Sequence, residues 1–201
     1  MNDKNNKRMK TKDLISVAIF SLLFAVLIFI LAGVFSILPS TSLFYAGPAG
    51  VLSGIVYMYL RVKVPKPGAI VLQGILTIGL YAIFGNPWIT TVVILVAAVL
   101  AELASAIGKY KNFWWNTVGY VIFSLGIWGG KLSPIAISAQ EYKEYCVREG
   151  MDAAYIDQCF AYMNPTTLTL AALAAIIGCV IGALIAKRLL KKHFQKIGAV
   201  S

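Results

Sequence analysis

Apolar residues run along most of the chain in stretches of about 20 positions, the length of helix that crosses a bilayer. Six such stretches fall at 14–36, 44–60, 68–85, 88–108, 113–130 and 166–187, and each predicts a transmembrane helix. The breaks between them are short. Pro39 and Ser40 form the first, Arg61 to Gly68 the second, Gly85-Asn86-Pro87 the third and Lys109 to Asn112 the fourth. Only the fifth connection, 131–165, is long, and it has a pattern of its own. Ser138-Ala139-Gln140-Glu141 is a capping box that opens a short helix ending near Gly150. Asp152 caps a second helix, closed by Asn164-Pro165, on which Ile156, Cys159, Phe160 and Met163 share one face. That face must cover something. Either it lies on the headgroups or closes a pocket as a lid, or it is a structural cap without ligand contact.

Charge gives the bundle a direction. Of the 18 Lys and Arg residues, only Lys131, Lys143 and Arg148 fall outside when the N-terminus is placed in the cytoplasm. The expected fold is therefore an all-α membrane protein: a six-helix transmembrane bundle with both termini cytoplasmic and a helical extracellular loop between helices 5 and 6. Residues 1–13 form a basic cytoplasmic segment, 14–190 the transmembrane domain and 191–201 a basic tail. The first apolar run is too long for a signal-peptide core and lacks a small-x-small cleavage site, so it reads as a retained first helix. The 201 residues are 59% hydrophobic and 13% charged, too few charges to cover a soluble domain. The net charge of +10 lies beside apolar runs, where it contacts lipid headgroups, and predicts no nucleic acid partner. Trp114 and Trp115 sit at an inner boundary, and Trp88 and Trp128 at outer ones.

Catalytic machinery is missing from the sequence. The single histidine, His193, is in the tail, so no His-based metal site or Ser–His pair is available. There is no P-loop, CxxC or dinucleotide fingerprint. No cofactor or metal is expected, and no enzyme. One acid, Glu102, lies inside a span, where a charge costs several kcal/mol unless it faces the bundle. It is either a proton, ion or subunit-contact site, or a structural group bonded to Gln73, Thr77 or Asn116. Small residues line three spans: Ala18, Ser21 and Ala25 on the first, Gly50 and Gly54 on the second, and Ala174 or Ala175, Gly178, Gly182 and Ala186 on the sixth. Such ridges let helices approach closely, and for the second and sixth spans internal packing is the expected use. Cys146 and Cys159 share the outer loop, where a disulfide is permitted chemically but is offset in a simple hairpin. Cys179 is mid-helix packing. Thr41, Tyr45, Tyr81, Asn86, Trp88, Thr90, Trp128, Asn164 and Thr166 gather at the outer ends. They are either pocket groups or interfacial anchors and turn residues.

Several stretches combine into a resemblance. They are Met9-Lys10-Thr11-Lys12-Asp13-Leu14-Ile15, Gly54-Ile55-Val56-Tyr57-Met58, Lys63-Val64-Pro65-Lys66-Pro67-Gly68-Ala69, Gly85-Asn86-Pro87-Trp88, Ala101-Glu102-Leu103 and Gly108-Lys109-Tyr110-Lys111. Together they resemble the Trep_Strep family of small bacterial membrane proteins, itself similar to the substrate-binding S components of energy-coupling factor (ECF) transporters. The resemblance implies a six-helix subunit that captures a small nutrient, vitamin-like or an ion, from outside. Its implied partners are membrane lipid, the small-molecule substrate, a transmembrane T subunit and two cytoplasmic ATPases. It also implies a bacterial plasma (inner) membrane, and for a substrate arriving from outside the candidate contacts come from the outer-end set: Tyr45, Tyr81, Asn86, Trp88, Trp128 and Asn164. Docking would go through the first helix, where the family's A-x-x-x-A is met as Ser21-x-x-x-Ala25, with Ala18 a turn earlier. The competing expectations are a self-contained secondary transporter, for which repeated halves are wanting, and a membrane enzyme or structural membrane factor.

Overall fold

The computed structural model describes residues 8–191. His193, Lys192, Lys196 and most of the basic N-terminal segment and tail lie outside them. Among the described residues there are eight helices and no strand: α1 (Thr11–Phe35), α2 (Ala46–Lys63), α3 (Ala69–Ile83), α4 (Trp88–Ile107), α5 (Phe113–Ile137), α6 (Ala139–Arg148), α7 (Ala153–Ala161) and α8 (Pro165–Leu189). Four of them, α1, α4, α5 and α8, are long and apolar enough to cross a membrane. α3 has 15 residues, which is about 22 Å of helix.

The six longer helices close into a ring. α1 packs on α2, α2 on α8, α8 on α5, α5 on α4, α4 on α3 and α3 back on α1, while α2 and α5 touch across the middle. Aromatic residues fill that middle. The Phe24 and Phe123 rings stack at 5.5 Å, and Tyr57 and Tyr120 lie 4.8 Å apart. A tyrosine hydroxyl needs a partner in such a place. Tyr120 donates to the Gly50 carbonyl at 2.7 Å, with Ser53 Oγ at 2.8 Å.

The expected small-residue ridges on the second and sixth spans form the α2–α8 seam. A Cβ on Gly50 would lie 2.8 Å from the Cys179 nitrogen, and one on Gly178 only 2.1 Å from the Gly47 carbonyl oxygen. These contacts bring the two backbones together, as small-x-x-x-small packing does.

One helix boundary needs correcting. The fifth span continues seven residues past 130, to Ile137, so Lys131 belongs to a helix and the connection is shorter than 131–165. Pro134 lies inside this extension. It has no N–H and so cannot bond the Gly130 carbonyl four residues back. That oxygen instead accepts from Thr90 Oγ1 of α4 at 2.9 Å and from Ser133 Oγ at 2.8 Å. Arg61 also moves, from a connection into the last turn of α2.

The two ends of the ring differ. At one, Lys66 pairs with Asp13 at 2.7 Å, and Lys10, Lys12, Lys63, Lys109, Lys111, Lys187 and Arg188 lie around it. We refer to this as the basic end. The opposite, capped end carries α6 and α7. The expected caps form there. Ser138 Oγ accepts from the Glu141 N–H at 3.3 Å, and Asp152 from that of Tyr155 at 2.8 Å. Gly150 takes φ +89°, a left-handed turn suited to glycine.

Candidate functional site

The apolar face of α7 does cover something. Ile156, Cys159, Phe160 and Met163 all line a cavity of about 120 Å³ between the cap and the bundle. Its other walls come from the α1–α2 turn (Ser36, Ser42, Leu43), α5 (Lys131, Ile135), α6 (Tyr142, Cys146), Met151 and Tyr155. Two tyrosines tie the cap down: Tyr155 donates to the Ser36 carbonyl and Tyr145 to that of Gly85. Lys143 pairs with Asp157 and holds α6 to α7. Asp152→Ala would remove the α7 cap, costing about 1 kcal/mol. Faster amide exchange through α7, with the ring's protection unchanged, is the expected reading.

Among the described residues that line the chamber, Lys131 is the one cation. Its ammonium sits 5.0 Å from the centre of the Tyr45 ring and 3.4 Å from Ser36 Oγ. No carboxylate among the described residues pairs with it. Cys146 and Cys159 both line the chamber and are free thiols, so the permitted disulfide is not formed. They lie on different helices, and Cys159 instead receives a long contact from Ser42 Oγ at 3.9 Å. Burial pushes the Cys146 thiol up, partly offset by the Tyr142 hydroxyl, so it stays protonated and unreactive near neutral pH. Burial also pushes Tyr155 up, to about 12.

The proposed substrate contacts divide. Tyr45 faces Lys131, and Trp128 donates Nε1–H to the Leu43 carbonyl at 2.9 Å, holding the chamber's α1–α2 wall. Tyr81 is buried against Phe29 at 4.9 Å. None of the six candidate contacts lines the chamber itself. Asn86 is a turn residue that donates to the Tyr81 carbonyl at 3.0 Å. Asn164 caps α8 through the Thr167 N–H at 2.9 Å. Trp88 is 73% exposed and borders a separate, open groove of about 270 Å³ with Tyr145 and Arg148. Thr41 bonds the Phe35 carbonyl, and Thr166 is exposed. Sequence reasoning missed Lys131, Ser36, Ser42, Tyr142 and Tyr155. The available signal was the apolar continuation Leu132, Ile135 and Ile137 beyond Lys131, which keeps the residue on a helix.

Glu102 has hydrogen-bond partners, but not the expected ones. It accepts from the backbone N–H groups of Gly68 at 2.9 Å, Ile70 at 2.8 Å and Val71 at 3.4 Å. Those are orphan donors at the start of α3, whose N-cap, Gly68, has no side chain to satisfy them. Gln73, Thr77 and Asn116 do not bond it. Thr77 bonds the Gln73 carbonyl and Asn116 that of Tyr110. Nearby, Arg61 is wholly buried, with its guanidinium 5.3 Å from the Tyr110 ring centre and no hydrogen-bond acceptor among the described residues.

The docking assignment is overturned in part. Ser21 and Ala25 are fully buried, because they let α1 close onto the ring, and only Ala18 faces outward. The outward face of α1 is large and aliphatic: Ile15, Ile19, Leu22, Val26 and Ile30. Similar residues cover the outside of α4 and α8.

Lipid-compatible outer faces on a ring of long apolar helices, with the polar groups turned inward or gathered at the two ends, define an integral membrane protein. The chain belongs to the Trep_Strep family, described as hypothetical bacterial integral membrane proteins, which it matches over residues 11–196. No curated protein and no solved structure matches it.

Proposed function

We propose that this protein is the substrate-binding S component of an ECF-type importer, capturing a small nutrient for uptake driven by partner ATPases rather than acting as an enzyme. In this reading six helices cross the bacterial plasma membrane, with α2 and α3 counted among them. Both termini are cytoplasmic, and the α6–α7 cap faces outward. The observation that carries the reading is the roofed chamber at the end opposite the basic side chains. By the positive-inside rule the basic end is cytoplasmic, where ATPases would act, and the chamber lies on the side from which a nutrient arrives. A pocket with apolar and aromatic walls and few polar groups is the usual form of a small-molecule site. The resemblance to S components supplies the partner class.

Docking on a T subunit would use the aliphatic outer face of α1 around Ala18, since Ser21 and Ala25 are not accessible. Affinity purification of the full chain from its own membranes in mild detergent is expected to recover a T subunit and two ATPases. Ala18→Trp should reduce that recovery while the protein remains monodisperse. Purification without those subunits, under conditions that preserve such complexes, would overturn the reading.

A further inference from the structure

We propose that the chamber under α6 and α7 takes a small organic acid, its carboxylate held by Lys131 and its apolar body against Leu43, Ile135, Ile156 and Phe160. This deepens the reading of the chamber as the substrate site and rests on it. An ammonium partly buried among apolar walls, as that of Lys131 is, is costly unless paired. Lys131 has only the face of Tyr45 and a long contact to Ser36 Oγ. Every acid of the cap is directed elsewhere. Asp157 is taken by Lys143, Asp152 by the start of α7 and Glu144 by Gln140, while Glu141 and Glu149 are exposed. The acidic exterior of the cap therefore says little about the interior, where the charge is positive and a cationic substrate would be repelled.

The walls narrow the class further. One ammonium matches one negative charge, and the chamber contains no arginine, whose planar fork is the usual device for phosphate. Leu43, Ile135, Met151, Ile156, Phe160 and Met163 leave most of the surface apolar, and Tyr142 and Tyr155 add aromatic faces. A monocarboxylate with an aliphatic or aromatic body fits this lining better than a polyanion or a sugar.

Cys159 is a reporter already in place, because it lines the chamber as a free thiol. The full-length protein would be placed in nanodiscs of phosphatidylcholine only, and iodoacetamide alkylation of Cys159 followed by peptide mass spectrometry. Benzoate and hexanoate, at about 10 mM so that millimolar binding registers, would be compared with benzamide and hexanamide. The acids are expected to slow alkylation and the amides to have little effect. Lys131→Met should weaken acid binding by about tenfold or more, the worth of one charge-assisted hydrogen bond. Lys131→Arg should retain most of it and serves as the folded control. Equal protection by amides, undiminished protection in Lys131→Met, or no protection by either acid would overturn the proposal. So would protection by phosphatidylglycerol nanodiscs alone, which would assign Lys131 to a lipid headgroup. If the acids fail while the T subunit and ATPases co-purify, only the substrate class falls. If the acids bind but no such subunits are recovered, the importer reading falls and the acid site remains.

Discussion

Gly178→Ala is expected to break the α2–α8 seam and to be among the most damaging single-methyl additions in the protein. The added Cβ would lie 2.1 Å from the Gly47 carbonyl oxygen and 2.8 Å from its carbon. Both are backbone atoms, so no side chain can turn aside. The neighbouring contact is equally tight, with a Cβ on Gly182 meeting the Gly50 oxygen at 2.4 Å. Relief requires the two helices to separate along their length. Separation would also pull Gly50 away from Tyr120, whose hydroxyl bonds its carbonyl in the middle of the ring. Overpacking alone costs about 1–3 kcal/mol, and the added loss of the Tyr120 bond places this substitution at about 3 kcal/mol or more. A thermal unfolding scan in detergent checks it, with Gly79→Ala and Gly129→Ala as controls. A Cβ at either control site meets nothing within 4 Å. There alanine should be neutral, or stabilise by up to about 1 kcal/mol through its better helix propensity. Equal melting of Gly178→Ala and the controls would mean that the seam is not packed as described.

What the sequence made legible followed from local rules. Hydropathy runs located every long helix, and Ser138, Asp152 and Asn164 marked the helix starts they cap. The chamber side of α7 and of the turn after it was readable because four apolar residues recur at helical spacing, the last of them, Met163, just past the helix end, and all four line the chamber. The unreadable features depended on contacts between distant segments. Lys131 fell just beyond the expected end of the fifth span, and the hydroxyl that bonds the Gly130 carbonyl there comes from Thr90, 40 residues before that glycine. Arg61 was counted as a topology signal, since nothing local marks a guanidinium as buried against Tyr110. Ser21 and Ala25 form a small pair whichever way α1 faces. Spacing gives the existence of a ridge, and only the neighbouring helices decide whether it turns inward. The outer-end polar set is scattered for a related reason. Asn86 and Asn164 are held as turn and cap residues by their own local chemistry.

Glu102→Ala should release the start of α3, and Glu102→Gln should do nearly the same. The carboxylate oxygens are divided between donors, Oε1 taking the Gly68 N–H and Oε2 those of Ile70 and Val71. Glutamine keeps the shape but turns one oxygen into an NH₂ group, which would face a backbone N–H with no acceptor between them. Gly68 cannot substitute, having no side chain and a φ of +86° that favours glycine at that position. An unsatisfied donor near hydrocarbon is expensive, and losing charge-assisted bonds of this kind is expected to cost about 2–3 kcal/mol. Amide exchange would report the loss as faster exchange at Ile70 and Val71, together with a lower unfolding midpoint for both variants. A proton-relay acid would behave differently, because its glutamine variant would keep the fold and the α3 protection and lose only transport. Three N–H donors on one carboxylate favour the first outcome: the acid inside the span is the missing cap of a helix that begins on glycine.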